Sequence, residues 1–161
     1  MSSTGGGPAV NRGETPRYLR PRRHDRIFNT AVAAFTRAGI SIWGSRILAV
    51  RGRTSGEWRT TPVNPLTFEG KRYLVSPRGN TQWVRNLRAA GAGELRVGRR
   101  TERFTAAELP DSGKPAVLRS YLRRWRFEVG MFFQGVGPNA PESRLAEIAR
   151  DHPVFEINPQ P

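Results

Sequence analysis

Residues 51–63 read RGRTSGEWRTTPV, a pattern that predicts a β-hairpin with positive charge gathered at its turn. Ser55 and Gly56 mark the reversal, and the backbone N–H groups of such a turn can bind an oxyanion. Arg53 and Arg59 flank it and can donate charged hydrogen bonds to a phosphate. In a strict two-residue hairpin the two arginines would lie on opposite faces, so their convergence needs a bulge or a wider loop. A solvated turn and an anion site both remain open.

Strand and helix patterns around the hairpin predict an α+β fold. The predicted strands are SRILAVRG, EWRTTPVNPLTFEG, RYLVSP, ELRVGRR, TERFTAAEL and VFEI (154–157). The predicted helices begin at Asn80 or Thr81 (ending at Gly91), at Pro115 and at residue 142. Three consecutive strands, a helix, two strands and a late strand favour a split β-barrel over alternating βαβ units. We expect about six mostly antiparallel strands with helices packed outside.

The length of 161 residues suits one domain. Residues 1–22 are rich in Gly, Ser, Pro and Arg without periodicity, which predicts a disordered basic tail. Residues 23–161 are then a single domain. Apolar residues recur at helical spacing from Ile27 to Phe35, and Gly39 offers a C-cap. This predicted helix packs either on the core or against a membrane surface.

The chain is strongly basic, with 27 Lys and Arg residues against 13 Asp and Glu and a net charge of +14. This excess predicts attraction to an anionic partner: nucleic acid, an anionic membrane face or a polyanionic small molecule. The arginines are not interleaved with aromatic residues as in known nucleic-acid modules, so we expect no specific nucleic-acid partner. No apolar run approaches the roughly 18 residues of a membrane span, and the N-terminal segment does not resemble a secretory signal. We therefore expect a cytoplasmic protein, in possible contact with the cytoplasmic membrane face.

Several classes of chemistry are excluded by the residues that the chain lacks. There is no cysteine, hence no disulfide and no thiol catalysis. The two histidines, His24 and His152, lack partners at metal-binding or catalytic-triad spacing, so we predict no metal site. Neither a P-loop nor a dinucleotide-binding fingerprint is present. If the chain is an enzyme, a bound cofactor supplies the difficult chemistry.

A second candidate anion site lies in SPRGNTQW, residues 76–83. A strand ends at Ser76, Gly79 allows a sharp turn, and a helix begins near Thr81 with free N–H groups at its N-terminus. Arg78 would add positive charge there. Trp83 in the first helical turn either walls a flat aromatic ligand or packs in the core.

These segments together resemble the deazaflavin-dependent nitroreductase family of actinobacteria. The resemblance is carried by GRTSGEWRTTPV, YLVSPRGNTQWVRNLRAAG and ELRVGRR and covers roughly residues 27–109. It implies a split β-barrel oxidoreductase that uses coenzyme F420, whose phosphate and oligoglutamate tail are anionic. Hydride would pass from reduced F420 to a flat electron-poor acceptor such as a quinone or a nitroaromatic compound. FMN is the alternative cofactor, because split barrels often hold FMN.

The same resemblance assigns residues to the cofactor. The phosphate and tail would be held by Arg53, Ser55, Gly56 and Arg59, with Thr54 where the family usually has lysine. The deazaflavin ring would be lined by Pro62, Val63, Asn64, Ser76, Pro77, Arg78 and Gly79, with Trp83 and Asn86 beside it. The proton for the acceptor would come from solvent or from Tyr121.

The segment YLRRWRFEVGMFFQGVG, residues 121–137, combines a high density of large apolar side chains with arginines. These side chains either complete the barrel core or roof an acceptor pocket, because flat aromatic substrates need apolar walls. We expect Phe132 or Phe133 to line that pocket.

Overall fold

A computed structural model describes residues 45–161. The basic tail, the helix predicted from Ile27 and His24 lie outside the described residues. The strands are β1 (Arg46–Arg51), β2 (Trp58–Val63), β3 (Leu66–Phe68), β4 (Lys71–Val75), β5 (Ala92–Val97), β6 (Arg100–Glu108) and β7 (Val154–Pro159). The helices are α1 (Gln82–Ala90), α2 (Pro115–Val129) and α3 (Glu142–Ala149), with 3₁₀ turns at Asp111–Gly113 and Gly130–Phe132.

All seven strands join one antiparallel sheet in the order β2-β1-β5-β6-β7-β4-β3. The two edge strands, β2 and β3, are connected only by Asn64 and Pro65. Three Cα–Cα steps span at most about 11 Å, so the two edges of the sheet must lie close together. The sheet is therefore curled into a half-barrel, and the predicted α+β split barrel is confirmed.

The strand count differs from the predicted six because the long segment EWRTTPVNPLTFEG forms two strands. Proline has no N–H group to donate to a strand ladder, and Pro65 lies at the interruption. At this break the chain passes from β2 at one edge of the sheet to β3 at the other edge. The position of the break therefore determines where the barrel opens.

Alternate residues of the sheet contribute to two separate cores. Leu74 on β4 joins the barrel interior with Leu48 and Phe104, where α1 contributes Val84 and Leu87. The flanking residues of β4 point to the other side, where α2 and α3 pack; this second core holds Tyr73, Val75, Leu118, Leu122, Trp125, Leu145 and Ile148.

Helix α1 confirms the prediction made for residues 80–91. Thr81 is the N-cap, although its side chain makes no capping hydrogen bond. Gly91 ends the helix in the left-handed conformation (φ 65°), and its N–H group donates to the carbonyl oxygen of Leu87 at 2.8 Å.

Helix α2 starts at Pro115 and is kinked at Trp125, where φ is −125° and ψ is 19°. The buried Lys114 precedes it and donates from Nζ to Asp111 Oδ1 at 2.7 Å and to the Ala149 carbonyl oxygen at 3.0 Å. This ammonium group joins the start of α2 to the end of α3.

His152 is buried between this helical layer and the loop that follows β4. Its ring stacks on Phe133 with 4.2 Å between centroids. Burial lowers the pKa of His152 below its ordinary value, with Lys114 acting in the same direction and Asp151 and the backbone of Ser76 and Pro77 opposing it. The folded state therefore favours the neutral imidazole.

We expect the stability of the protein to fall in acid partly because of His152. The unfolded histidine takes up a proton near pH 6.5 and the folded one only at lower pH. The contribution is therefore complete above pH 6.5 and decreases below it, by at most about 1.4 kcal/mol per pH unit. The free energy of unfolding of His152→Gln should depend less on pH between 6.5 and 5 than that of wild type. Equal pH dependence in wild type and His152→Gln would contradict the assignment.

Candidate functional site

A cavity of about 1130 Å³ lies where the β1–β2 loop, the loop after β4, the start of α1 and the end of α2 meet. It brings together most of the residues predicted for the site: Arg53, Thr54, Ser55, Arg59, Pro62, Val63, Asn64, Ser76, Pro77, Arg78, Trp83, Asn86, Tyr121 and Phe132. Gly56, Gly79 and Phe133 are not among its lining residues. Its lining combines the cationic side chains of Arg53, Arg59 and Arg78 with the aromatic side chains of Trp83, Tyr121 and Phe132.

The β1–β2 connection is wider than a two-residue turn, with six residues between Arg51 and Trp58. The Gly52 N–H group donates to the Glu57 carbonyl oxygen, and the Gly56 N–H group donates to the Gly52 carbonyl oxygen, both at 2.8 Å. Gly56 adopts φ 70°, a conformation that glycine tolerates without strain. Convergence of Arg53 and Arg59 required a loop wider than two residues, and this loop meets that requirement. Both arginines reach the cavity.

Arg53 is held in place by helix α1. Its backbone N–H group donates to Asn86 Oδ1 at 3.2 Å, and its Nη1 donates to the same oxygen and to Gln82 Oε1, each at 2.9 Å. Gln82 and Asn86 are one helical turn apart and share a face. All three bonds use neutral acceptors, so the guanidinium is oriented while its charge is not neutralised by them.

Arg59 is held more loosely. Its side chain is 61% exposed and lies 3.5 Å from Glu57, which is itself 73% exposed. An exposed pair of this kind contributes little stability, so Arg59 can exchange Glu57 for a stronger anionic partner.

The loop after β4 is fixed by backbone contacts. The buried Ser76 donates from its N–H group to the Pro153 carbonyl oxygen at 2.9 Å and from Oγ to the Gly79 carbonyl oxygen at 2.6 Å. Gly79 has φ 80°, and a Cβ there would lie 3.1 Å from the Asp151 carbonyl oxygen. Gly79 therefore shapes the loop without lining the cavity.

Two buried hydroxyl groups that line the cavity, Ser45 Oγ and Thr81 Oγ1, have no hydrogen-bond partner among residues 45–161. Buried polar atoms are nearly always hydrogen-bonded, and exceptions often mark a ligand site. Thr81 also stands at the N-terminus of α1, whose first N–H groups and partial positive charge favour an anionic or electron-rich ligand.

Aromatic side chains also line the cavity. Trp83 is half-buried and packs against Phe155 at 5.9 Å between centroids, which leaves part of the indole to line the cavity. Tyr121 is 2% exposed and contacts Trp125 at 4.9 Å. Phe132 lies under the Arg78 guanidinium at 4.8 Å.

Phe133 lies in the core. It is fully buried, packed between Tyr121 at 6.2 Å and His152 at 4.2 Å. The 3₁₀ turn Gly130–Phe132 sends the side chains of Phe132 and Phe133 in different directions, so only Phe132 reaches the cavity. Of the two phenylalanines expected to line the pocket, only Phe132 therefore lines it.

The sequence patterns missed several lining residues: Ser45, Val50, Gly52, Thr60, Thr61, Val75, Thr81, Gln82 and Val129. Gln82 carried a usable signal, because it precedes Asn86 by one helical turn. The threonines of β2 carried none, since an edge strand at the barrel opening exposes residues of both faces.

The described residues, 45–161, include no group of three His, Asp or Glu side chains that could hold a metal ion. In the same part of the chain, no helix is both long and apolar enough to span a bilayer.

Comparisons with known proteins identified a family model and solved structures that are similar to this chain. A family model described as F420H(2)-dependent quinone reductase matches residues 21–127. No curated protein matches the chain. The solved structure of an F420-H2 dependent reductase (FDR-A) has a TM-score of 0.50 and 17% identity, covering 71% of this chain and 94% of its own. Atu2129 of Agrobacterium tumefaciens, a protein of unknown function, has a TM-score of 0.52 and 15% identity, covering 94% of this chain and 60% of its own. At these identities the structures show a shared fold.

Proposed function

Because this chain belongs to the F420H(2)-dependent quinone reductase family, it is an oxidoreductase, and we propose that reduced coenzyme F420 is its electron donor and a quinone its acceptor. A nitroaromatic compound, also flat and electron-poor, is a second proposed acceptor. The observation that carries the proposal is the cavity itself, whose lining combines three arginines with three aromatic side chains. A ligand with an anionic arm and a flat ring suits such a lining.

The donor groups of the cavity fit this cofactor. We assign the anionic phosphate and tail to the cationic loop: Arg53, Thr54, Ser55, Gly56 and Arg59. We assign the deazaflavin ring to the surface formed by Pro62, Val63, Asn64, Ser76, Pro77, Arg78, Trp83 and Asn86. Ser45 Oγ and Thr81 Oγ1, which are buried without partners in the described part of the chain, suit the polar atoms of a ring system. Gly79 supports the ring surface indirectly, through its hydrogen bond with Ser76.

Bound reduced F420 would supply a hydride from C5 of its deazaflavin ring. The chain's own task is to hold the acceptor against that ring, at a near-attack separation of about 3–3.5 Å, and to exclude water. Trp83 and Phe132 supply flat and apolar surface for this purpose.

The acceptor takes its proton from solvent or from Tyr121. A much lower kcat in Tyr121→Phe, with KM unchanged, would identify Tyr121 as the proton donor. An unchanged kcat would identify solvent as the proton donor.

We expect F420 to bind more tightly than FMN, the alternative cofactor. FMN carries one phosphate, whereas the cationic loop offers two arginines and the backbone of a six-residue turn. Fluorescence titration of the purified protein with both cofactors at moderate salt measures this difference. Raising the salt concentration should weaken F420 binding more, because its anionic tail adds screened contacts. Tighter binding of FMN under these conditions would overturn the cofactor assignment.

We further propose that residues 23–161 form one cofactor-binding domain preceded by a basic tail at 1–22. Its place would be the cytoplasm, with contact at the cytoplasmic membrane face. These proposals rest on composition and on the net charge of +14. Limited proteolysis tests the tail, since cleavage confined to the first residues should leave cofactor binding intact. Loss of F420 binding after that cleavage would contradict the boundary.

A further inference from the structure

Two large apolar side chains project into solvent at the end of α2. Phe127 is 85% exposed and Met131 is 79% exposed. Their spacing of four residues places them on the same side of the chain where α2 passes into its 3₁₀ turn. Paired exposed apolar residues of this size commonly mark an interaction site.

Positive charge surrounds this pair. Arg123, Arg124 and Arg126 are exposed, and the Arg126 guanidinium lies 4.6 Å from the centroid of the Phe127 ring. Residues 115–141 contain four arginines and a single acidic residue, Glu128. We call Arg123, Arg124, Arg126, Phe127 and Met131 the basic–apolar patch.

The patch adjoins the cavity. Val129 and Phe132 alternate with its apolar residues along the chain, and both line the cavity. The same short segment therefore presents one set of side chains outward and the next set to the cavity. A surface that covers the patch would also lie close to Val129 and Phe132.

We propose that the basic–apolar patch docks on the surface of an anionic lipid bilayer. Such a bilayer offers acyl chains for Phe127 and Met131 and negative headgroups for the arginines, the combination used by interfacial helices. Pairing of two patches in a dimer would instead bring six arginines together. The use of the docking, delivery of an apolar acceptor from the lipid, rests on the proposed function.

Vesicle sedimentation of the full chain tests the docking without any cofactor. Wild type should bind vesicles of equal parts phosphatidylglycerol and phosphatidylcholine, and bind pure phosphatidylcholine more weakly. Phe127→Ser with Met131→Ser should lower binding to the anionic vesicles by about tenfold or more, because two apolar side chains no longer insert. Arg123→Gln with Arg126→Gln should lower it by about fivefold for each arginine.

The matched control is Arg99→Gln with Arg100→Gln, which removes the same charge at the exposed turn between β5 and β6. It should bind vesicles almost as wild type does, and all variants should keep the wild-type melting temperature because the altered side chains are exposed. Phe127→Trp, which keeps an apolar ring, should retain binding.

Several outcomes would overturn the proposal. One is wild-type vesicle binding by the double serine variant, and another is equal loss in the two arginine pairs, which would indicate net charge alone. A third is a dimer in sedimentation velocity that the serine substitutions dissociate. Failure of docking would leave cofactor titration unaffected, so the two proposals can fail separately.

Discussion

Arg53→Ala is expected to lower the affinity for F420 by about 10- to 150-fold, the equivalent of one charged hydrogen bond worth roughly 1.5–3 kcal/mol. The guanidinium of Arg53 is oriented within the cavity by Asn86 and Gln82. Its three bonds use neutral oxygens, so its charge remains available to a ligand. Arg59→Ala should fall at the lower end of the same range, because Arg59 is largely exposed.

The measurement is fluorescence titration of each variant with F420 at constant salt. Arg99→Ala is the control, since it removes one positive charge at a remote exposed turn. Arg53→Lys keeps the charge but loses the planar donor set, so it should recover only part of the affinity. If Arg53→Ala and Arg59→Ala both bind F420 as wild type does, the loop is a solvated turn and the cofactor lies elsewhere.

A structural effect of Arg53→Ala must be separated from the loss of charge. Removing the side chain leaves Asn86, which is buried, with one bond from the Arg53 backbone. Asn86→Ala with Arg53 intact tests the positioning role. It should weaken F420 binding less than Arg53→Ala does. It should lower the melting temperature by about as much as Arg53→Ala does.

The fold was largely predictable because its signals are local. Strand patterns, the Thr81 start of α1 and the Gly91 end depend on residues adjacent in the chain. The extra strand was missed because Asn64 and Pro65 interrupt a run whose pattern otherwise continues. That the same break joins the two edges of the barrel depends on strand order, which no local pattern encodes.

The site was predictable by residue type but not by contact. The resemblance selected Arg53 and Asn86 separately, yet their hydrogen bond joins residues 33 positions apart. Likewise, the neighbouring residues Phe132 and Phe133 have the same side chain but lie in different surroundings. Only the geometry of the 3₁₀ turn assigns one to the cavity and the other to the core.

Phe133→Ala should lower the free energy of unfolding by about 3–5 kcal/mol, the usual cost of truncating a buried phenylalanine. Phe133 is fully buried and contacts both Tyr121 and His152. The truncation would also remove the ring on which the His152 imidazole stacks. Urea denaturation measures the loss, and Phe133→Leu should recover much of it, since it keeps most of the apolar volume.

Phe132→Ala is the matched variant one residue away, and the opposite behaviour is expected. Phe132 is only partly buried, so its truncation should change the unfolding free energy little. If it walls the acceptor site, the KM for a short-chain quinone should rise by roughly tenfold, because a flat substrate loses one apolar face. F420 affinity should stay close to wild type, which distinguishes the acceptor end from the cationic end. A normal KM in Phe132→Ala, together with a large loss of stability, would mean that Phe132 is also core. The acceptor would then have to approach the ring from the Trp83 side of the cavity.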